Sequence, residues 1–176
     1  MTPYKKPKRY FEKSGVVDPG ASYYVPLENV TNSDRQDIKT MVDMGRYFSI
    51  FAPRQSGKTT FFKDFCSRLA KDPTYVPILL SFQDYKNISG EQFYSLIHES
   101  LLKQLISRLT LVDCLQLAHV KTYMQAHPTA DHISLRKLFE GLNGLIERKK
   151  IIIFIDEFDG IPQSELENFL TTLREL

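Results

Sequence analysis

Two stretches of the 176-residue chain combine residue types suited to holding a polyphosphate and its metal. The first is FAPRQSGKTT at residues 51–60, where Ala52, four intervening residues, Gly57, Lys58 and Thr59 reproduce the spacing of a phosphate-binding loop, with Ala52 where glycine is more usual. A phosphate needs donors with no side chain in the way, and a loop running into a helix N-terminus offers several backbone N–H groups aimed in one direction. Here those donors are the amides of Gln55, Ser56, Gly57, Lys58, Thr59 and Thr60, with Gly57 permitting close approach. The helix dipole adds roughly 0.3–2 kcal/mol. Lys58 supplies a full charge between the outer phosphates, and Thr59 a hydroxyl for a magnesium ion. Ala52 and Pro53 form the loop entry, and Arg54 and Gln55 shape its interior. Alone, a relaxed match of this kind arises in on the order of one chain in a hundred at ordinary Gly and Lys usage.

The second stretch, IIIFIDE at 151–157, is an apolar run closed by two carboxylates. A parallel strand ending in Asp is where a P-loop nucleotidase keeps its magnesium partner, so Asp156 is expected to hold the metal through water. Glu157, one residue further, can take a proton from a water aimed at the terminal phosphate. Glu157 and Lys58 are thus the expected catalytic residues, residues 52–60 the nucleotide-binding loop, and Thr59 and Asp156 the metal side. Asp159 reads equally as a cap on the turn around Gly160 or as a member of the site.

Both motifs need particular elements around them. RYFSIF at 46–51 reads as a buried strand feeding the loop, and Phe61, Phe62, Phe65 and Leu69 recur at helical spacing behind it until Pro73. Upstream, SDRQDIKTMVDMG reads as a short helix opened by a Ser33–Gln36 capping box and stopped at Gly45. YVPILLSF is rich in strand formers, and Pro77, which cannot donate in a ladder, favours an edge strand or the strand's first residues. Residues 89–147 are helical in pattern. Ser89 and Gln92 cap a stripe of Phe93, Leu96, Ile97, Leu101 and Leu105; a helix is expected within 111–126; another follows Asp131. KKIIIFIDEFDG is a strand closed by acid, and Pro162, Ser164 and Glu167 then open a last helix with Leu166, Phe169, Leu170 and Leu173 on one face.

The bulk numbers fit an ordinary globular domain, 42% apolar and 25% charged. A formal charge of +2 is too small to make nucleic acid the main partner, although Lys5, Lys6, Lys8, Arg9 and Lys13 crowd the first residues. No apolar run approaches the roughly twenty residues of a bilayer span, and no signal-peptide core follows the N-terminal charges, so no membrane association and a cytoplasmic location are expected. Cys66 and Cys114 lack metal or redox spacing and read as reduced, buried thiols.

With these residues in view, the chain resembles the P-loop nucleotidases that carry an additional strand and a catalytic glutamate, the division holding AAA-type and STAND-type ATPases. More narrowly, YFEKSGVVDPGASYYVPLE through MGRYFSIFAPRQSGKTTFF resembles bacterial AAA-like ATP-binding proteins. The resemblance implies an α/β, three-layer P-loop sandwich on a mainly parallel sheet of order 5-1-4-3-2, with YVPILLSF outermost and Ser81 and Gln83 near Glu157. It implies ATP and Mg2+ as cofactors. It also implies a strand between the two motif strands, a sensor residue and an arginine finger, none of which appears before residue 176, so the sandwich is expected to be incomplete at its C-terminal side. Residues 1–30 are then a basic tail and lead-in, and residues 31–176 the ATPase core with its helical segment 89–147. The expected activity is a magnesium-dependent ATP hydrolysis that switches engagement of an unidentified protein partner, with oligomer formation compatible. Two other readings stand beside it: a nucleotide-gated interaction module with little turnover, and a DNA-associated ATPase of origin-recognition or transposition-helper type.

Overall fold

The computed structural model describes residues 9, 15, 17, 18, 20–23, 36–51, 56–146 and 149–176. The chain divides into two compact units, residues 1–65 and 66–176.

In the first unit, helix α1 (Ile38–Asp43) turns Ile38, Met41 and Val42 inward. Its N-cap is Asp37, whose side chain accepts from the Thr40 N–H at 2.8 Å; Ser33, expected to begin this helix, lies outside the described residues. The C-terminus closes as a Schellman pair, with Gly45 N–H donating to Val42 O and Arg46 N–H to Met41 O, both at 3.0 Å. Gly45 has φ +65°, the left-handed value that this closure demands. Residues 46–51 do not form the expected strand. They carry no regular structure, Tyr47 is 65% and Phe51 92% exposed, and no described strand lies alongside. An apolar run becomes a strand only when a neighbour satisfies its backbone groups, and no such neighbour lies beside this one among the described residues.

Helix α2 (Lys58–Leu69) follows the expected spacing, with Phe61, Phe65 and Leu69 buried. Phe61 and Phe65, one turn apart, stack with ring centres 5.7 Å apart.

The second unit is an α/β arrangement on a two-stranded parallel sheet. Strand β1 (Tyr75–Ser81) pairs with β2 (Lys150–Asp156) in the register Tyr75↔Lys150 through Ser81↔Asp156. Between them run α3 (Gly90–Leu111), α4 (Leu117–Ala126) and α5 (His132–Leu145), and α6 (Leu166–Glu175) follows β2. Val76, Ile78, Leu80 and Phe82 from β1 and its end, with Ile151, Ile153 and Ile155 from β2, share one apolar core with Ile97, Leu101 and Leu105 of α3 and Leu138 and Leu142 of α5. Apart from Phe154 and Asp156, β2 is half-buried or exposed rather than the fully buried strand that its composition suggests.

The edge chemistry explains Pro77. In a parallel ladder the N–H and C=O of one residue point to the same side, alternating along the strand. Phe82 N–H donates to Asp156 O and Lys150 N–H to Thr74 O, so even-numbered residues of both strands face each other across the ladder. Odd-numbered residues of β1, Pro77 among them, face outward, where a missing donor costs nothing in the ladder. On that outer side Gln104 of α3 occupies the place of a neighbouring strand. Its Oε1 accepts from Leu79 N–H and its Nε2 donates to Leu79 O, both at 2.9 Å.

Two of the helices start where local chemistry says they should. Ser89 and Gln92 form a complete capping box on α3, and Asp131 with Ser134 forms another on α5. The Ser164–Glu167 start does not form. Residues 162–165 make a turn, with Glu165 N–H on Pro162 O at 2.9 Å, and α6 begins at Leu166 with no side-chain cap.

Candidate functional site

Of the loop, residues 56–60 are described, and Ala52, Pro53, Arg54 and Gln55 lie outside the described residues. Gly57 has φ +86°, and a Cβ built there would meet nothing within 4 Å. Its glycine requirement is therefore conformational rather than steric. Gly57 O accepts the Phe61 N–H at 2.8 Å, which starts the helix and leaves the amides ahead of Phe61 as its N-terminal donors. Lys58 and Thr59 are half-buried at the first turn, whereas Ser56 and Gly57 are exposed. Thr60 is 6% exposed, and its Oγ1 accepts the Val17 N–H at 3.2 Å, so this hydroxyl ties the lead-in segment to the helix. Further along α2, burial pushes the Cys66 thiol up to about 12, against a smaller opposing pull from Arg108, so it is no thiolate nucleophile near neutral pH.

The acidic end of β2 is built differently. Asp156 is 7% exposed, its C=O holds Phe82 N–H at 3.1 Å, and its Oδ1 accepts the N–H of Glu157 at 3.1 Å. Both backbone and side chain of Asp156 are thereby fixed at the carboxyl end of a parallel strand, where α/β domains place ligands. Glu157 is exposed, and its backbone is left-handed with φ 54° and ψ 49°. For a residue with a Cβ this costs on the order of 1–2 kcal/mol. Immediately after it, Phe158–Gly160 makes a single 3-10 turn, with Gly160 N–H on Glu157 O at 2.9 Å. Ser81 is the register partner of Asp156, and Ser81, Gln83 and Asp159 are all exposed at this end of the sheet. The second unit thus gathers Asp156, Glu157 and Ser81 at one strand end, while Ser56 to Thr60 form a separate cluster at the head of α2.

Sequence reasoning missed the left-handed conformation of Glu157 and the closeness of Gly160 to β1. The signal available was the FDG triplet directly after the two acids, in which glycine marks a turn that must fit against something. It missed Gln104 as well, whose polar side chain sits beside the Leu101 and Leu105 stripe of α3.

Fold and site together define an α/β domain on a parallel sheet, with a buried aspartate and an exposed glutamate at the carboxyl end of a strand. The chain belongs to the family described as Nephrocystin 3, N-terminal, which it matches over residues 30–176. Comparison with curated proteins and with solved structures gave no match. Among the described residues no helix is long and apolar enough to cross a membrane.

Proposed function

We propose that the chain binds ATP with magnesium and hydrolyses its terminal phosphoanhydride, as an AAA-like or STAND-like P-loop switch. The observation that carries this reading is the end of β2: a buried, hydrogen-bonded aspartate followed by an exposed glutamate held in a costly backbone conformation. Such strain persists only where surrounding structure enforces it, and it concentrates at functional sites. The head of α2 supports the same reading, because Gly57 takes a left-handed turn immediately before the helix's N-terminal donors.

In this mechanism the amides from Ser56 to Thr60 and the Lys58 ammonium take the phosphates. Thr59 in the first unit and Asp156 in the second are the residues that would hold a magnesium ion, whose charge would offset that of the phosphate oxygens. Glu157 accepts a proton from the attacking water, and its exposure leaves the carboxylate accessible to that water. Fixing Asp156 by its own hydrogen bonds limits the reorganisation needed at the metal.

Phosphate release and nucleotide binding measured on E157Q and K58A test the assignment. Glu157→Gln is expected to keep ATP binding and lower turnover by roughly 10²–10⁴-fold. Lys58→Ala is expected to weaken both. Normal hydrolysis by E157Q refutes the base. Should ATP stabilise the chain without any phosphate release, by about 2.7 kcal/mol at a hundredfold excess over Kd, the molecule is instead a nucleotide-gated binding module.

A further inference from the structure

We propose that Gly160 is a positioning residue for Glu157, acting through steric fit against strand β1; this rests on Glu157 being the base of the proposed reaction. A Cβ added at Gly160 would fall on the carbonyl of Phe82, and Gly160 has no positive φ that would require glycine for conformational reasons. Its glycine is needed solely for this close approach, and Gly160 is buried.

Phe82 cannot move aside. Its N–H is bound to Asp156 O, its carbonyl accepts Tyr85 N–H at 3.1 Å, and its ring meets Phe93 and Phe169 edge-on at centre distances of 5.3 and 5.6 Å. The turn from Glu157 to Gly160 is therefore clamped at both ends. At one end the Glu157 N–H is held by Asp156 Oδ1. At the other the Gly160 N–H holds Glu157 O while Gly160 itself lies on the Phe82 peptide. Between the clamps the Glu157 backbone is held in its left-handed state, so its Cα–Cβ bond leaves the turn in one direction. A methyl group at position 160 would lift the turn from β1 and release that direction.

The test uses the 176-residue chain carrying Gly160→Ala, alone and combined with Glu157→Gln. In the folded single variant the backbone chemical shifts of Glu157 should leave the left-handed range. Turnover should fall roughly a hundredfold, as a displaced catalytic group does, while the ATP Kd stays within about twofold. On the E157Q background Gly160→Ala should add no further loss of turnover, whereas a merely destabilising substitution would lower binding and turnover together in both backgrounds. If E157Q alone hydrolyses ATP normally but G160A still shifts Glu157, the base assignment fails and the positional link stands. If Glu157 stays left-handed in G160A, or G160A turns over normally while E157Q is inactive, the proposal is overturned. Should G160A not fold, hydrogen exchange in the unsubstituted chain decides: a Gly160 amide exchanging as slowly as the β1 and β2 ladder supports the clamp, and one exchanging freely overturns it.

Discussion

Gln104 offers the sharpest quantitative test of how the sheet is finished. Its amide makes two hydrogen bonds to the Leu79 peptide at 2.9 Å and a third, at 3.0 Å, to Ser100 Oγ. Substitution by methionine keeps the length and flexibility of the side chain and removes both partners of Leu79. Each lost bond contributes about 0.5–1.5 kcal/mol net, and a buried group left without a partner costs about 1–3 kcal/mol. Leu79 is only half-buried, so water recovers part of the second figure. The expected loss for Gln104→Met is therefore about 2 kcal/mol in urea unfolding, or roughly 4–8 °C in Tm for a chain of this length. Q104E separates the two roles, because a carboxylate can still accept from Leu79 N–H but sets a second acceptor against Leu79 O. It should lose at least as much stability at neutral pH. A loss below about 0.5 kcal/mol for Q104M, the level of ordinary surface substitutions, with the Leu79 amide still slow to exchange, would refute the view that this side chain serves as the strand's neighbour.

Other expectations are equally direct. Asp113 ends α3 with φ 45°, while Asp113 N–H and Cys114 N–H donate back to Thr110 O and Leu109 O. Asp113→Gly should thus stabilise the fold by about 0.5–1 kcal/mol, the relief of about 1–2 kcal/mol less the flexibility that glycine adds; equal stability of D113G and D113A in denaturant titrations would deny the strain. Asp131 caps α5, and the Ser134 N–H, the largest influence, holds its carboxyl below the ordinary 3.8. A depressed carboxyl contributes stability that is present above the unfolded value and is lost as pH falls through the lower folded one. Asp131→Ala should therefore cost about 1 kcal/mol at pH 7, and the difference from the unsubstituted chain should shrink once the pH drops below 3.8; a gap that does not depend on pH argues against the charge-assisted cap.

Where the determining chemistry is local, the fold was legible from sequence. Ser89 with Gln92, Asp131 opening α5, Gly45 closing α1 and the Phe61–Phe65–Leu69 spacing each act within one or two turns, and each is present. Pro77 announced an edge because a missing donor has the same consequence whatever surrounds it. RYFSIF carried no comparable information. Its apolar residues favour a strand only if a partner lies alongside, and that partner is a nonlocal matter. The Ser164–Glu167 pattern failed because Glu165 is drawn into a turn on Pro162 before a helix can start. Type and spacing single out Gly57, Lys58, Thr59, Asp156 and Glu157 as candidate site residues. They do not give the backbone state of Glu157, since it depends on Gly160 meeting Phe82, a contact between segments distant in sequence.

Two residues with side chains adopt left-handed backbones among those described, Asp113 and Glu157, and their contexts give the same local cost opposite meanings. Asp113 is exposed at a helix end, where glycine is the common solution and aspartate a tolerated one. No contact described there needs a carboxylate, so exchange for glycine should bring a net gain. Glu157 follows a strand, and its φ is enforced by hydrogen bonds on both sides and by a glycine packed onto the neighbouring strand. A chain selected only for stability would carry glycine at 157, which would remove the cost and keep the turn. That a carboxylate stands there instead, beside a buried aspartate, is hard to explain by packing and follows directly if the carboxylate is used.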